Sequence, residues 1–245
     1  MAEPLMRGLP PVVIPDARLL ADAAARVVRD VAAQAIADRG VFRVAFPGGR
    51  TPRALLERLA AEPYRNQIEW GRVVVLFADE RAVPPDHADS NYRLVREALL
   101  DSLGAQAPIA RRMAADSPDL EQAARDYSVE LEVPLDLAVL GIGEDGHIAS
   151  LFPGSPLLRA SDARVGAVIN SPKPPARRLT LLPRVLAEAR TVLVLATGAE
   201  KAGAVGAAFA ESGDALACPA RLVRDGVWLL DADAAEQLGG KPAGE

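Results

Sequence analysis

Leu135-Asp-Leu-Ala-Val-Leu-Gly-Ile-Gly-Glu-Asp-Gly-His147 is an apolar run that ends in a glycine-rich, charged loop. Residues 135–140 predict a strand. Working outward, Val73-Val-Val-Leu-Phe77 is an uninterrupted apolar run of the sort found in a parallel strand covered on both faces, and Val41-Phe-Arg-Val-Ala-Phe46 is a short β-rich run. Residues 164–170, 179–182, 191–196 and 227–230 predict further strands. Apolar residues recur at helical spacing from Asp16 to Arg39, with Asp16 placed to cap the helix and Gly40 to end it. Helical composition returns over 53–61, where Thr51 is the expected cap and Pro52 the first helical residue, and over 90–100, 117–131, 184–188 and 199–210. Strands alternating with helices predict an α/β fold. We expect a single domain over residues 1–240, a Rossmann-like, mostly parallel sheet with helices on both faces, and a flexible tail at 241–245.

With 245 residues, 50% of them hydrophobic and 25% charged, the chain can bury a sizeable core. Only 5 Phe, 3 Tyr and 2 Trp are present, so the core falls to Ala, Val, Leu and Ile, and platforms for stacking nucleic-acid bases are scarce. A net charge of −5 argues against a general polyanion binder, and no nucleic-acid partner is expected. The one cysteine, Cys218, can make no internal disulfide, which fits a reducing compartment. Pro4, Pro10 and Pro11 interrupt the stretch where a secretory signal would need continuous apolar residues. No window approaches the ~18 apolar residues of a membrane span. The expectation is a cytoplasmic protein with no membrane partner, acting as a monomer or weak homo-oligomer.

In such sheets ligands sit beyond the carboxyl ends of the strands. The unusual segments all follow predicted strands: Gly48-Gly49, Asp79-Glu80-Arg81 in a proline-containing loop, Gly141 to His147, and Gly198 to Lys201. Gly48-Gly-Arg-Thr-Pro52 offers backbone N–H groups, a hydroxyl and a helix start, all suited to a phosphate or carboxylate. It lacks the nucleotide P-loop pattern, and a plain strand-to-helix turn is the alternative. Gly141-x-Gly143-x-x-Gly146 matches the dinucleotide fingerprint in form. Pro153 and Pro156 leave no room for the long helix that fingerprint needs, so no nicotinamide or flavin cofactor is expected.

The same loop carries Glu144, Asp145 and His147. An imidazole can take a proton from water near neutrality and return it, and a carboxylate beside it fixes its tautomer. One His and two adjacent carboxylates fall short of a three-ligand metal set, so no metal is expected. A structural histidine in a turn is the alternative. The other histidine, His87, sits in a Pro/Asp-rich loop and is read as solvated. The only lysines are Lys173, Lys201 and Lys241. Lys201 opens a helix, where a compact charge could pair with phosphate. From the residues alone, this is an α/β enzyme holding a small phosphorylated or carboxylated substrate over the strand ends, with the class of reaction open.

The chain resembles the 6-phosphogluconolactonase family across nearly its full length. The resemblance lies in Gly48-Gly-Arg-Thr-Pro52, in Asp79-Glu-Arg81 with Val83-Pro84 and Ser90-Asn91, in Gly141 through Gly154, in Ser171-Pro-Lys-Pro-Pro175 with Arg178-Leu-Thr180, and in Gly198-x-x-Lys201-Ala202. It implies a sheet fold shared with the glucosamine-6-phosphate deaminases and hydrolysis of 6-phospho-D-glucono-1,5-lactone in the oxidative pentose phosphate pathway. It implies catalytic roles for His147, which would activate water, and Asp145, which would orient it. It implies contacts to substrate or phosphate from Gly48, Gly49, Arg50, Thr51, Asp79, Arg81, Asn91, Arg178 and Lys201. Two positions depart from the family pattern: Pro47 replaces a usual Ser, and Leu181-Leu182 stands where a second Thr is common. An aminosugar-phosphate deaminase would carry an acid at the position of Phe152. A non-catalytic sugar-phosphate sensor would be expected to bring a DNA-binding helix-turn-helix segment, and none is apparent.

Overall fold

The computed structural model describes residues 8–160 and 162–238, so the expected tail and Lys241 lie outside the described residues. Ten strands are formed: β1 (Val12–Ile14), β2 (Phe42–Phe46), β3 (Val73–Phe77), β4 (Asp79–Arg81), β5 (Ile109–Ala110), β6 (Leu137–Gly141), β7 (Val165–Val168), β8 (Arg178–Leu181), β9 (Thr191–Ala196) and β10 (Val227–Asp231). Seven of them make one sheet in the order β1-β10-β9-β6-β2-β3-β5, and every pair in it is parallel. All five residues of β10 and the first four of β6 are buried, which requires cover on both faces.

Local chemistry explains the long helix Ala17–Arg39. The Asp16 carboxylate accepts from Leu19 N–H at 2.8 Å, and Gly40 closes the helix at φ 77 with its N–H on the Ile36 carbonyl. A cap of this type contributes about 1 kcal/mol. The helix buries a stripe of Leu20, Ala24, Val28, Ala32 and Ala35 at spacings of three or four. Phe42, Phe46 and Phe77, at 1% exposure or less, anchor the core from the paired strands β2 and β3. Each such side chain contributes about 1.5–3 kcal/mol by leaving water.

Three features depart from the expectations. Residues 165–168 and 178–181 do not join the main sheet; they form a small antiparallel sheet, β4-β8-β7. The expected loop at Asp79-Glu80-Arg81 is the third strand of that sheet, with Arg81 opposite Arg178 and Asp79 opposite Thr180. Ala78 joins the two sheets, donating to the Phe46 carbonyl and accepting from Leu181 N–H. Thr51 is no cap: the helix runs Arg50–Leu59 from Gly49, whose φ of 107 suits glycine. Pro52 still falls in the first turn, where its missing N–H costs nothing.

Candidate active site

The chain leaves β2 toward β3 and β5 on one side, whereas β6, β9 and β10 fill the other. β2 and β6 are therefore neighbours at a topological switch point, where the carboxyl ends of an open parallel sheet leave a crevice. A cleft of about 220 Å³ lies there. Residues 47–52 after β2, Gly141, Ile142, Gly143 and His147 after β6, and Thr197, Glu200 and Lys201 after β9 line it. The small sheet adds Asp79, Arg81 and Arg178, and Lys173 reaches in from the segment before β8.

At one end of the cleft, His147 Nδ1 meets Asp145 Oδ1 at 2.5 Å. The loop is built for this meeting. Gly143 N–H donates to the His147 carbonyl and Gly146 N–H to the Gly143 carbonyl, closing a tight turn. Gly146, at φ 81, packs on Cys218 so closely that a Cβ would fall 2.8 Å from Sγ. The imidazole stacks on Phe152 with 4.5 Å between centroids, and Arg178 lies 5.5 Å from the centroid of the Phe152 ring. With Nδ1–H donating to Asp145, the neutral ring carries its lone pair on Nε2. Burial opposes charge on Asp145, but the hydrogen bond and charge of His147, aided by Lys173, outweigh it and hold the carboxyl well below the usual range.

At the other end, the start of helix Arg50–Leu59 has no side-chain cap. Its first N–H groups and the positive end of its dipole are open to an anion. Thr51 Oγ1 pairs with Thr197 Oγ1 at 2.7 Å, tying the loops after β2 and β9 together. Lys201 Nζ lies 3.8 Å from Glu144, and Arg50 lies 3.3 Å from Glu200. Both cations are thus held at the rim by acids that an entering phosphate could replace. Between the two ends, Arg81 donates through Nη1 to the Asp89 carbonyl, while its buried Nε has no partner among the described residues.

Three residues expected to touch substrate are buried and hydrogen-bonded to neighbouring protein groups. Asn91 is 1% exposed and does not line the cleft. Its amide donates to the carbonyl and carboxylate of Asp79 at 2.8 and 2.9 Å, directly behind Gly48, where a Cβ would sit 1.9 Å from Asn91 Oδ1. Asn91 props the phosphate loop from behind. Arg178 reaches the cleft wall but is 3% exposed, and its donors go to the carbonyls of Lys173, Pro174 and Pro175 and, at 3.4 Å, to Ser150. It clamps a backbone segment while still lining the cleft. Burial pushes its guanidinium below its ordinary pKa. Asp79 borders the cleft yet is 4% exposed, held by Ser150 Oγ at 2.6 Å as well as by Asn91.

Several working residues escaped the sequence. Thr197 follows a strand end without a recognisable motif. Glu80, 4% exposed, takes the N–H groups of Arg81, Asn91 and Tyr92 and the Ser90 hydroxyl, so it stitches β4 to the next helix. Burial pushes its carboxyl up, against those backbone donors. Only its place between Asp79 and Arg81 could have signalled it.

Residues 15–230 match the family of glucosamine-6-phosphate isomerases and 6-phosphogluconolactonases. The chain belongs to that family. A 6-phosphogluconolactonase of Streptomyces coelicolor is 39% identical, covering 93% of this chain and 94% of the relative. A rice protein described as a probable chloroplastic 6-phosphogluconolactonase is also 39% identical, over 89% of this chain and 73% of its own. The 6-phosphogluconolactonase structure from Trypanosoma brucei superposes with a TM-score of 0.83 at 29% identity, covering 94% of this chain and all of that one. A monomeric glucosamine-6-phosphate deaminase shares the fold at TM-score 0.80 and 20% identity, covering 94% of this chain and 100% of that chain. Among the described residues no helix is long and apolar enough to cross a membrane.

Proposed function

We propose that this protein hydrolyses 6-phospho-D-glucono-1,5-lactone to 6-phosphogluconate, the step its relatives are named for, in the oxidative pentose phosphate pathway. One observation carries the mechanism: the cleft holds an Asp145-oriented imidazole at one end and an uncapped helix start with Lys201 at the other. The substrate phosphate rests on Gly48, Gly49, Arg50, Thr51 and Lys201, which places the lactone carbonyl toward His147. Nε2 takes a proton from water as the water oxygen bonds to C1. The carbonyl oxygen becomes an oxyanion beside the Arg81 guanidinium, which lines the cleft. The C1–O5 bond then breaks, and the imidazolium returns its proton to O5. Asp145 stays ionised throughout and supports the imidazolium. The product acid ionises, so each turnover releases one proton.

Phe152 favours this reading over sugar isomerisation, because an aromatic ring packs against His147 where the deaminases carry an acid. The lone cysteine, buried and unpaired, supports cytoplasmic residence. The test is proton release from freshly prepared phosphogluconolactone, with the spontaneous rate subtracted. The expected result is release proportional to protein, with unphosphorylated gluconolactone far slower. No acceleration over background would overturn the assignment.

A further inference from the structure

Lys173 is unusual for a lysine at a surface. Its N–H donates to Ser171 Oγ, and its carbonyl accepts from both Ser171 Oγ and Arg178 Nη2. Arg178 also donates to the carbonyls of Pro174 and Pro175. A buried guanidinium thus fixes the backbone from which Lys173 projects. Its Nζ ends 3.7 Å from Asp145 Oδ1, the same oxygen that receives His147 Nδ1–H. Among the described residues this is its one ion pair.

We propose that Lys173 is a positioning residue for the reaction, sharing Asp145 Oδ1 with His147 so that Asp145 cannot over-stabilise the imidazolium. The inference rests on His147 acting as the base. A base held too firmly in its protonated form would neither take a proton from water at neutral pH nor return it to the ring oxygen. Three other cations around the cleft have acidic groups set against them. Arg178, behind Phe152, feels Asp79; Lys201 faces Glu144 and Arg50 faces Glu200. Arg81 stands on the β4 wall, and burial pushes the Cys218 thiol up, which keeps it neutral. Lys173 is the cation placed on the catalytic pair itself.

The protein contains only two histidines, so ring-proton NMR reads His147 directly, with His87→Gln assigning the other signal. Removing the charge in Lys173→Met or Lys173→Gln should raise the pH at which His147 titrates by roughly half a unit, the effect of one charge a few ångströms off in a water-like surrounding. Lys173→Arg should titrate as the wild type does. Identical titration in wild type, Lys173→Met and Lys173→Gln would overturn the proposal. The acid limb of kcat/KM should rise by the same amount. If the NMR titration moves while that limb stays fixed, the coupling stands and it is the assignment of His147 as base that fails.

Discussion

Gly143 and His147 are so close that no side chain fits between them: a Cβ at Gly143 would lie 2.0 Å from His147 Nδ1 and 2.5 Å from Asp145 Oδ1. The glycine resembling part of a dinucleotide fingerprint is thus needed for the meeting of an imidazole with its carboxylate. Gly143→Ala should cost about 1–3 kcal/mol of stability by overpacking. Its larger effect should be on kcat, roughly 100-fold for a displacement near 1 Å. Urea unfolding and initial rates, measured on the same preparation, check both.

Asn91 offers the converse case, a residue with family-like character that works by support. Asn91→Ala removes the donor that Asp79 uses twice and leaves a void behind Gly48. The cost should be about 1–3 kcal/mol, that of buried acceptors left unpaired. KM should rise more than kcat falls, because the loosened loop holds phosphate. A urea midpoint equal to that of the wild type would contradict this.

Lys201 lines the cleft, and the proposed reaction asks it only to hold the substrate phosphate by its charge. Lys201→Met should raise KM for the phosphorylated lactone by about tenfold or more, the loss of one charge-assisted hydrogen bond. It should leave kcat nearly unchanged and leave the slow reaction with unphosphorylated gluconolactone untouched. A fall in kcat at constant KM would place Lys201 at the reacting carbon instead.

Acid should act on the fold through Asp145. Its carboxyl is held below the usual range in the folded protein, so the stability it contributes is complete above the unfolded value of ~3.9. That contribution is lost as pH falls through the folded value. Glu80 runs the other way: its raised folded pKa favours the fold at low pH, and that contribution is lost as pH climbs through the folded value. Asp145→Asn should therefore flatten the loss of stability below about pH 4. Denaturation midpoints at pH 3 to 7 for both proteins test it.

Much of the frame was legible because it follows one-dimensional rules. Buried parallel strands such as Val73–Phe77 read as apolar runs, and Asp16 and Gly40 bracket their helix through local hydrogen bonds. Two strands of the small sheet were legible, at 164–170 and 179–182, but their separation from the main sheet and their third partner were not. Asp79–Arg81 is short and wholly charged, and its partners at 178–180 lie about a hundred residues on. The edge strand Val12–Ile14 and the two-residue Ile109–Ala110 carry too little pattern to register. At the site, His147 and Asp145 were found through their loop. Arg178, whose contact to substrate the resemblance implies, does line the cleft, but its work in holding backbone could not be read from the sequence. The carbonyls of Lys173, Pro174 and Pro175 that it meets come together only in three dimensions.

Water activation by His147 is tested most directly by the background-corrected hydrolysis rate of His147→Ala on fresh phosphogluconolactone. Binding should survive, since the anion end of the cleft is intact, and the variant should bind 6-phosphogluconate within a few-fold of wild type. The enzyme-dependent rate should fall by about 10²–10⁴. A folded variant that hydrolyses at close to the wild-type rate would contradict the central claim.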